Sequence, residues 1–401
     1  MPGMDRALMD AFDAGLLVRP GDGHPNLVHL VRAVATVAGV GDLDQHPAVA
    51  DLVRTIGPTD HLIFILIDGL GMNLVERLPA STFLATSLRR ELRATCPSTT
   101  ACALTTVATA SYPNRHGVTG WFTHLPEFGL TATTLPLVER YSGRPLAERG
   151  ISVGQVLPVP SVLPRMTHEP ATFTPAYITN TPYNNYARGG TPGVGYHAIP
   201  EAVDGLIRRV RSADRPTYTH LYLHDVDTRC HHVGTDHESV IALVLSIDRE
   251  LARLHEATAG RATVVVTADH GLIDVPEDQQ VLLRAGDPLL EVLAVPPTGD
   301  ARMPVFHVRD GRHEAFADQF RQRFGDRMAL VETAEAEREG FFGPGSISAM
   351  VRGRFGDYVA FPFRPATLAY HPPDKALGKL YLAVHAGLSP VEMRIPMCVG
   401  R

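Results

Sequence analysis

Residues 61–71 read HLIFILIDGLG, an unbroken apolar run that stops at an Asp-Gly pair. A short apolar run without alternation is typical of a strand buried on both faces, as in a parallel sheet. Two later segments share this pattern, THLYLHDVD at 219–227 and ATVVVTADHG at 262–271, and helical patterns lie between the three, at 201–212 and 238–257. The alternation predicts an α/β fold, a three-layer sandwich with a largely parallel central sheet. Ligands of such sheets bind at the carboxyl ends of the strands.

The rest of the chain suggests how this core is interrupted. Residues 121–200 are rich in Pro, Gly, Thr and Asn with little periodicity, which predicts long loops over the site. The character changes again at 276–364, where a strand pattern and then a helix pattern occupy 303–324. We therefore expect a core formed by 1–275 together with 365–401, and a small α+β cap inserted at 276–364.

Composition excludes several classes of protein. The 401 residues carry a formal net charge of −6, whereas a nucleic-acid-binding surface needs a basic excess. No apolar stretch reaches the ~18 residues of a membrane span. The first residues are acidic, with no basic segment before an apolar run, so no secretory signal is expected. The four cysteines form no CxxC pair and do not resemble a disulfide framework. We expect a cytoplasmic protein with a small-molecule substrate and no nucleic-acid or membrane partner; its oligomeric state stays open.

Polar residues that suit metal ions follow each of the three strand patterns. Asp68 ends the first, and Asp269 and His270 end the third. After the second, Asp227 and His231 are four residues apart, so on a helical turn they would share a face. Each has an ordinary alternative as a turn-former, a helix cap or part of a solvated loop. Other residues compete for the same duty near the second strand: His224, Asp225, His232 and His237.

Two further segments complete the set. Thr100 lies in CPSTTACALTT, at the start of a helix predicted to run to about Ala110. It could be a simple N-cap, but free N–H groups at a helix N-terminus also stabilise a phosphate. His385 ends an apolar segment in VHAGLSP. Three carboxylates, three imidazoles and one hydroxyl fit two divalent ions with three protein ligands each, and paired ions can stabilise both oxygens of a displacement at phosphorus.

In their order along the chain, these motifs resemble the alkaline phosphatase superfamily. They are IDGLG, PSTT with ATASYPNRHG, DTRCHHVG, TADHG and HAGLSP. The strongest resemblance is to the type I phosphodiesterase/nucleotide pyrophosphatase branch, which also includes phosphonoacetate hydrolase. It implies an alkaline phosphatase-like fold and two divalent cations, usually zinc, with Mn²⁺ or Mg²⁺ also possible. It also implies that Thr100 is the nucleophile and forms a covalent phospho-threonine. One metal would be held by Asp68, Thr100, Asp269 and His270, and the other by Asp227, His231 and His385.

Some motif positions depart from the branch. Thr99 stands where a lysine is common before the nucleophile, and Ala103 where an asparagine is common after it. Cys230 replaces the usual glycine before His231 and is either a bystander or an extra soft ligand. The sulfatase branch does not fit, because Cys96 directly precedes Pro97 instead of taking the nucleophile position. The substrate of this chain therefore cannot be inferred from the substrates of the branch.

The sequence thus predicts a phosphoester hydrolase acting on phosphodiester or nucleotide pyrophosphate bonds. The alternatives are a phosphomonoesterase or phosphonate hydrolase on the same core, a phosphomutase, and a non-catalytic relative. A monoesterase would need extra positive charge, for which Arg115 and Arg188 are candidates. Substrate-binding residues are not assigned, although a polar cluster could contact the leaving group: Tyr183, Asn184, Asn185 and Tyr186.

Overall fold

The computed structural model describes residues 5–43, 46–373 and 380–401. Its strands are β1 (His61–Ile67), β2 (Leu88–Arg93), β3 (Phe122–Leu125), β4 (Leu130–Thr133), β5 (Val138–Glu139), β6 (Glu169–Pro175), β7 (Gly193–Tyr196), β8 (Thr217–Leu223), β9 (Ala262–Thr267), β10 (Ile273–Asp274), β11 (Gln280–Leu283), β12 (Thr298–Asp300), β13 (Met303–Phe306), β14 (Met328–Glu332), β15 (Tyr358–Pro362), β16 (Thr367–Tyr370), β17 (Ala383–Val384) and β18 (Arg394–Gly400).

The α-helices follow in the same order. They are α1 (Arg6–Asp13), α2 (Leu27–Val37), α3 (Pro47–Ile56), α4 (Met72–Val75), α5 (Phe83–Ser87), α6 (Thr100–Thr109), α7 (Pro113–His116), α8 (Val153–Val156), α9 (Pro182–Ala187), α10 (Ile199–Ser212), α11 (Asp225–Val233), α12 (Glu238–Thr258), α13 (Pro288–Glu291), α14 (His313–Phe324), α15 (Thr333–Arg338) and α16 (Pro390–Met393).

A large, mostly parallel sheet forms the centre of the molecule. Within the described ranges it has seven strands in the order β2-β18-β9-β1-β8-β6-β7. The pairs β9–β1, β1–β8, β8–β6 and β6–β7 are parallel, and β18 is antiparallel to both of its neighbours. Every residue of β1, β8 and β9 is buried. Because side chains alternate across a strand, this burial means that both faces of the sheet are covered. The predicted α/β fold is confirmed.

The helices cover the sheet with apolar stripes. In α12, buried Val240, Val244, Ile247, Leu251 and Leu254 recur at the three- and four-residue spacing that places side chains on one helix face. This helix packs against α10 and β9, while α2 packs against α3 and α6. In the part of the chain that the structure describes, no helix is long and apolar enough to cross a membrane.

The prediction of long loops over 121–200 is wrong. This region contains strands and helices, and its strands β6 and β7 extend the central sheet in parallel. These strands could not be predicted from the sequence, because β6 reads EPATFTP and β7 reads GVGY. Proline and glycine lower strand propensity, but they are tolerated near the edge of a sheet, where fewer ladder hydrogen bonds are needed.

A second sheet lies beside the core, with the order β14-β15-β13-β12-β3-β4-β5. The strand and helix patterns at 303–324 are confirmed as β13 and α14. However, this sheet combines strands from 122–139 with strands from 298–362. The pairing of β3 with β12 joins the strands of 122–139 to the predicted cap. The division into a core and a cap at 276–364 stays a prediction.

A buried ion pair ties the second sheet to the core. Arg302, between β12 and β13, is 1% exposed and binds Glu392 of α16 through Nε–Oε1 at 2.7 Å and Nη2–Oε2 at 2.8 Å. Glu392 also accepts hydrogen bonds from Gly387 N at 2.8 Å and Ser389 N at 3.2 Å. These bonds fix the loop that follows His385 and so determine where that imidazole lies.

Replacing Glu392→Gln should lower the free energy of unfolding by about 3–5 kcal/mol, because Arg302 would remain buried without a counter-charge. Urea denaturation followed by circular dichroism measures this. The exposed pair Arg54–Asp51, at 3.1 Å, supplies the control: Arg54→Gln should cost no more than about 1 kcal/mol. Equal losses in the two variants would contradict this role for the Arg302 pair.

Candidate active site

The ends of β1 and β9, which are adjacent in the sheet, bring the first group of ligands together. Asp68 and Asp269 are almost fully buried. Asp269 Oδ1 accepts hydrogen bonds from Gly69 N and from His270 N, both at 3.0 Å. His270 Nε2 lies 3.5 Å from Asp68 Oδ1 and 3.5 Å from Asp269 Oδ2. Two carboxylates and an imidazole thus converge where the first and third strand patterns end.

Glycine is required beside this group. Gly69 has a φ of +76°, and a Cβ there would lie 2.9 Å from the Cα of Asp227. Any other residue would be strained and would push the two segments apart. The Asp-Gly pair after β1 therefore allows the turn after β1 to approach α11.

The second group comes from α11 and the segment after β17. Asp227 Oδ2 lies 3.1 Å from His231 Nε2, and Asp227 Oδ1 lies 3.8 Å from His385 Nε2. The second strand pattern was only partly correct, since β8 ends at Leu223 and Asp227 belongs to the helix. The helical spacing predicted for Asp227 and His231 is confirmed.

Thr100 and a pair of stacked imidazoles link the two groups. Thr100 is the first residue of α6, which ends at Thr109 as predicted from the sequence. Its Oγ1 lies 3.1 Å from His270 Nε2 and 3.4 Å from Asp68 Oδ2. The rings of His270 and His385 stack with their centroids 3.8 Å apart. The structure therefore brings all seven residues of the predicted set into one cluster.

The cluster fits divalent cations. Ligand atoms of Asp68, Asp269 and His270 lie within 4.8 Å of one another, as do those of Asp227, His270 and His385. Asp269 Oδ2 and Asp227 Oδ1 are buried and accept no hydrogen bond from the described residues. A buried carboxylate oxygen without a partner is energetically costly. A bound cation removes that cost, so the residues present suit a metal centre.

The electrostatics agree with this fit. Burial, followed by the charges of Asp269 and Asp227, raises the pKa of Asp68 well above its usual range, and burial raises the pKa of Asp269. Burial also acts to raise the pKa of Asp227, but the hydrogen bond and charge of His231 outweigh it and lower the pKa to about 2. Carboxylates that crowd together in a buried place repel one another. Cations stabilise all of them in the ionised form.

Sequence reasoning missed Tyr222. Its hydroxyl donates a 2.5 Å hydrogen bond to Asp68 Oδ2 across the β1–β8 pair, where Tyr222 lies opposite Leu66. Burial raises the pKa of Tyr222, so the hydroxyl keeps its proton. In the sequence this residue looks like any aromatic of a buried strand, and only the strand register shows that it orients Asp68.

A second missed residue, Asp300, comes from the other sheet. Its carboxylate accepts a 2.9 Å hydrogen bond from Trp121 N and a hydrogen bond from Thr99, and burial raises its pKa to about 6. Asp300 reaches the site because β12 pairs with β3 at Gly299 and Phe122. The sequence carries no signal for this pairing.

The competing residues lie outside the cluster. His224 and Asp225 pair with each other at 3.3 Å, and His237 accepts a hydrogen bond from Ser239 N at the start of α12. His224 and His232 line cavities that open on the cluster, but neither belongs to a ligand group. Cys230 is buried in the hydrophobic core, and burial raises its pKa to about 12, so its thiol stays neutral. It belongs to neither ligand group.

Two cavities meet at Thr100. The first, of about 400 Å³, has mainly apolar walls: Leu104, Val107, Ala108, Leu135, Leu163 and Ile178. The second, of about 440 Å³, is more polar and includes Arg140, Asp300, Tyr370 and Tyr381. Trp121 and Asp227 also line both. Volumes of ~300–1,000 Å³ are typical of ligand pockets.

The predicted substrate contacts are divided by these cavities. Tyr183, Asn184 and Arg188 line the first cavity, whereas Asn185 and Tyr186 line neither. Arg115 is exposed on α7 and also lines neither. Of the two arginines considered for a monoester site, only Arg188 therefore lines a cavity that opens on the cluster.

A threonine hydroxyl at a helix N-terminus, a candidate metal centre at the strand ends of a largely parallel sheet, and the matches described next define a phosphoester hydrolase with an alkaline phosphatase-like fold. The chain belongs to the type I phosphodiesterase/nucleotide pyrophosphatase family, whose family model matches residues 62–325. The predicted family is thereby confirmed. No curated protein is similar enough in sequence to match significantly.

Solved structures share the fold. Phosphonoacetate hydrolase from Sinorhizobium meliloti 1021, in complex with phosphonoformate, superposes with a TM-score of 0.63 at 18% identity, over 84% of this chain and 89% of that chain. Murine ectonucleotide pyrophosphatase/phosphodiesterase 5 superposes with a TM-score of 0.61 at 12% identity, over 84% and 87%. An inactive form of the murine protein in complex with AMP gives 0.61 at 13% identity, with the same coverage.

We expect Tyr222→Phe to weaken metal binding about 10- to 100-fold, because the partners that orient a ligand carboxylate contribute about this much to metal affinity. Titration against a competing chelator measures the loss. Tyr218, a buried tyrosine on the same strand, gives the matched control, and Tyr218→Phe should bind metal as the unmodified chain does. Unchanged affinity in Tyr222→Phe would show that Asp68 does not depend on this hydroxyl.

Proposed function

We propose that the protein hydrolyses phosphodiester or nucleotide pyrophosphate bonds through a covalent intermediate on Thr100. One observation carries this proposal: the Thr100 hydroxyl, 3.1 Å from His270 Nε2 and 3.4 Å from Asp68 Oδ2, stands where the two cavities meet. If the phosphorus atom of a diester lies beside that oxygen, each of its two ester groups has a cavity to occupy.

Two divalent cations complete the site in this proposal, with zinc as the first choice and Mn²⁺ or Mg²⁺ as alternatives. Such ions supply positive charge that lowers the pKa of a bound hydroxyl and stabilises the oxygens of an in-line displacement. Asp68, Thr100, Asp269 and His270 would hold one ion; Asp227, His231 and His385 would hold the other.

The chain's own groups account for the remaining steps. Thr100 Oγ1, once it has lost its proton, attacks phosphorus in line and expels the leaving alcohol or phosphate. The free N–H groups at the start of α6 face the phosphoryl oxygens and stabilise their charge. Water then attacks the phospho-threonine, which releases the product and restores the hydroxyl. Two displacements, each with inversion, leave the configuration at phosphorus unchanged overall.

The two cavities favour a diester over a monoester. A monoester has one substituent and would leave one cavity without a function. It also carries a second negative charge. Of the two arginines considered for it, Arg115 is exposed and lines neither cavity, and Arg188 lines the first cavity but already donates to Thr179 O at 2.7 Å. The AMP bound by the murine relative is compatible with a nucleotide substrate.

The cytoplasmic location stays a prediction from the sequence.

Thr100→Ala should reduce kcat on bis-p-nitrophenyl phosphate by at least about a thousandfold, since removing a nucleophile costs far more than removing a binding group. Release of p-nitrophenolate measures this, with metal content determined on the same samples. Thr100→Ser keeps a hydroxyl and should retain measurable turnover. The alanine variant of the adjacent Thr99 should remain active, which separates the two hydroxyls. Substantial turnover by metal-loaded Thr100→Ala would overturn the nucleophile assignment.

Chelation should abolish turnover, and adding back Zn²⁺, Mn²⁺ or Mg²⁺ separately should restore it, with Zn²⁺ most effective.

On the reconstituted protein, kcat/KM should be higher for bis-p-nitrophenyl phosphate and thymidine 5′-p-nitrophenyl phosphate than for p-nitrophenyl phosphate. The reverse order would favour the monoesterase alternative. Turnover of phosphonoacetate alone would favour the phosphonate hydrolase. Transfer to an added alcohol in place of water would indicate a phosphotransferase or mutase.

A further inference from the structure

Arg140 lies in the wall of the second cavity, the same cavity that opens on Thr100, His231 and His385. Its guanidinium carbon stands 3.9 Å from the centre of the Phe122 ring. Nη1 donates to Pro297 O at 2.7 Å, and Nη2 donates to Tyr370 O at 3.4 Å. The stacking and the two carbonyl contacts hold the head group in a fixed position.

These contacts leave the charge of Arg140 uncompensated. A guanidinium has five N–H donors and needs an anion when it is removed from water. The described residues offer it carbonyl oxygens, the Tyr141 hydroxyl and aromatic rings, but no carboxylate at ion-pair distance, and burial lowers its pKa. By contrast, the fully buried Arg302 and Arg354 pair with Glu392 and Glu127.

We propose that Arg140 binds an anionic group, a carboxylate or a phosphate, carried by the substituent of phosphorus that occupies the second cavity. This inference rests on the proposed diesterase function and specifies its substrate class. The substrate is a phosphodiester with an apolar or aromatic group for the first cavity and an anion-bearing alcohol for the second. The planar fork of arginine suits two-point contact with either anion.

Asp300 lines the same cavity and offers the opposite charge. Its carboxylate already accepts hydrogen bonds from Trp121 N and Thr99. Burial raises the pKa of Asp300 to about 6, which weakens its hold on a cation, whereas the Arg140 guanidinium donates to only two carbonyl oxygens and has further donors for an anion. A preference for an ammonium-bearing substrate would show that Asp300 dominates instead.

The test uses four p-nitrophenyl diesters on metal-loaded protein, with ethanol, glycolate, ethylene glycol monophosphate or choline as the second alcohol. We expect kcat/KM for the glycolate or the phosphate diester to exceed that for the ethyl diester by about tenfold to hundredfold, as for a hydrogen bond to a charged group. Comparing these two diesters identifies which anion is preferred. Arg140→Gln should remove the preference by lowering kcat/KM for the two anionic diesters to the value for the ethyl diester.

Two further variants control for charge and for folding. Arg144→Gln removes the same charge from an exposed position four residues away and should keep the full preference. Arg140→Lys keeps the charge and should keep part of it. If Arg140→Gln fails on the ethyl diester as well, Arg140→Lys is decisive. An Arg140→Lys variant that still turns over the ethyl diester but has lost the whole preference overturns the proposal.

Other results separate this inference from the proposed function. Turnover of the ethyl diester without an anion preference, a preference that survives Arg140→Gln, or a preference for the choline diester would overturn the role of Arg140 alone. If no diester is turned over, the proposed function fails. Calorimetry then still tests Arg140, since carboxymethyl phosphate should bind at least about tenfold more tightly than ethyl phosphate, and equal binding would overturn the role.

Discussion

Three carboxylates, the buried Asp68 and Asp269 and the partly buried Asp227, converge around His270, and the rest of the site depends on holding them there. Burial, and then the charges of Asp269 and Asp227, raise the pKa of Asp68, because an ionised carboxylate there is poorly solvated and is repelled by the other two. The fold counters this with donors aimed at single oxygens: the Tyr222 hydroxyl on Asp68 and the Gly69 amide on Asp269. These bonds fix orientation, but they do not neutralise three charges. Bound cations would neutralise these charges. The same grouping of carboxylates that the fold produces therefore also creates the need for metal.

The sheet order converts distant sequence segments into neighbours. Strand β1 lies between β8 and β9, so the turns that follow all three strands meet at one edge. His385 does not come from this sheet; its loop is fixed by the Arg302–Glu392 pair. Since Arg302 adjoins β12, the same pair also connects the wall of the second cavity to the loop that follows His385. Ligands on strand ends and helices are held more precisely than ligands on free loops.

This arrangement explains what the sequence could and could not reveal. Asp68, Asp269 and His270 were predictable because apolar runs identify parallel strands, and the ends of such strands share an edge. Asp227 and His231 were predictable from helical spacing. Tyr222 was not, because its role depends on the register between β1 and β8. Asp300 and Arg140 were not, because the pairing of β12 with β3 joins segments about 180 residues apart without a pattern in either. The strands β6 and β7 were hidden by their proline and glycine content.

Trp121 is the single tryptophan of the chain. It lines both cavities, is 37% exposed, and is held by the bond from its backbone N to Asp300. Indole emission depends on the polarity of its surroundings, so the tryptophan fluorescence of the protein, as distinct from the emission of its 11 tyrosines, originates at the junction where both substituents of a substrate would lie. The protein therefore contains an intrinsic optical reporter of ligand occupancy, which requires no label and no turnover.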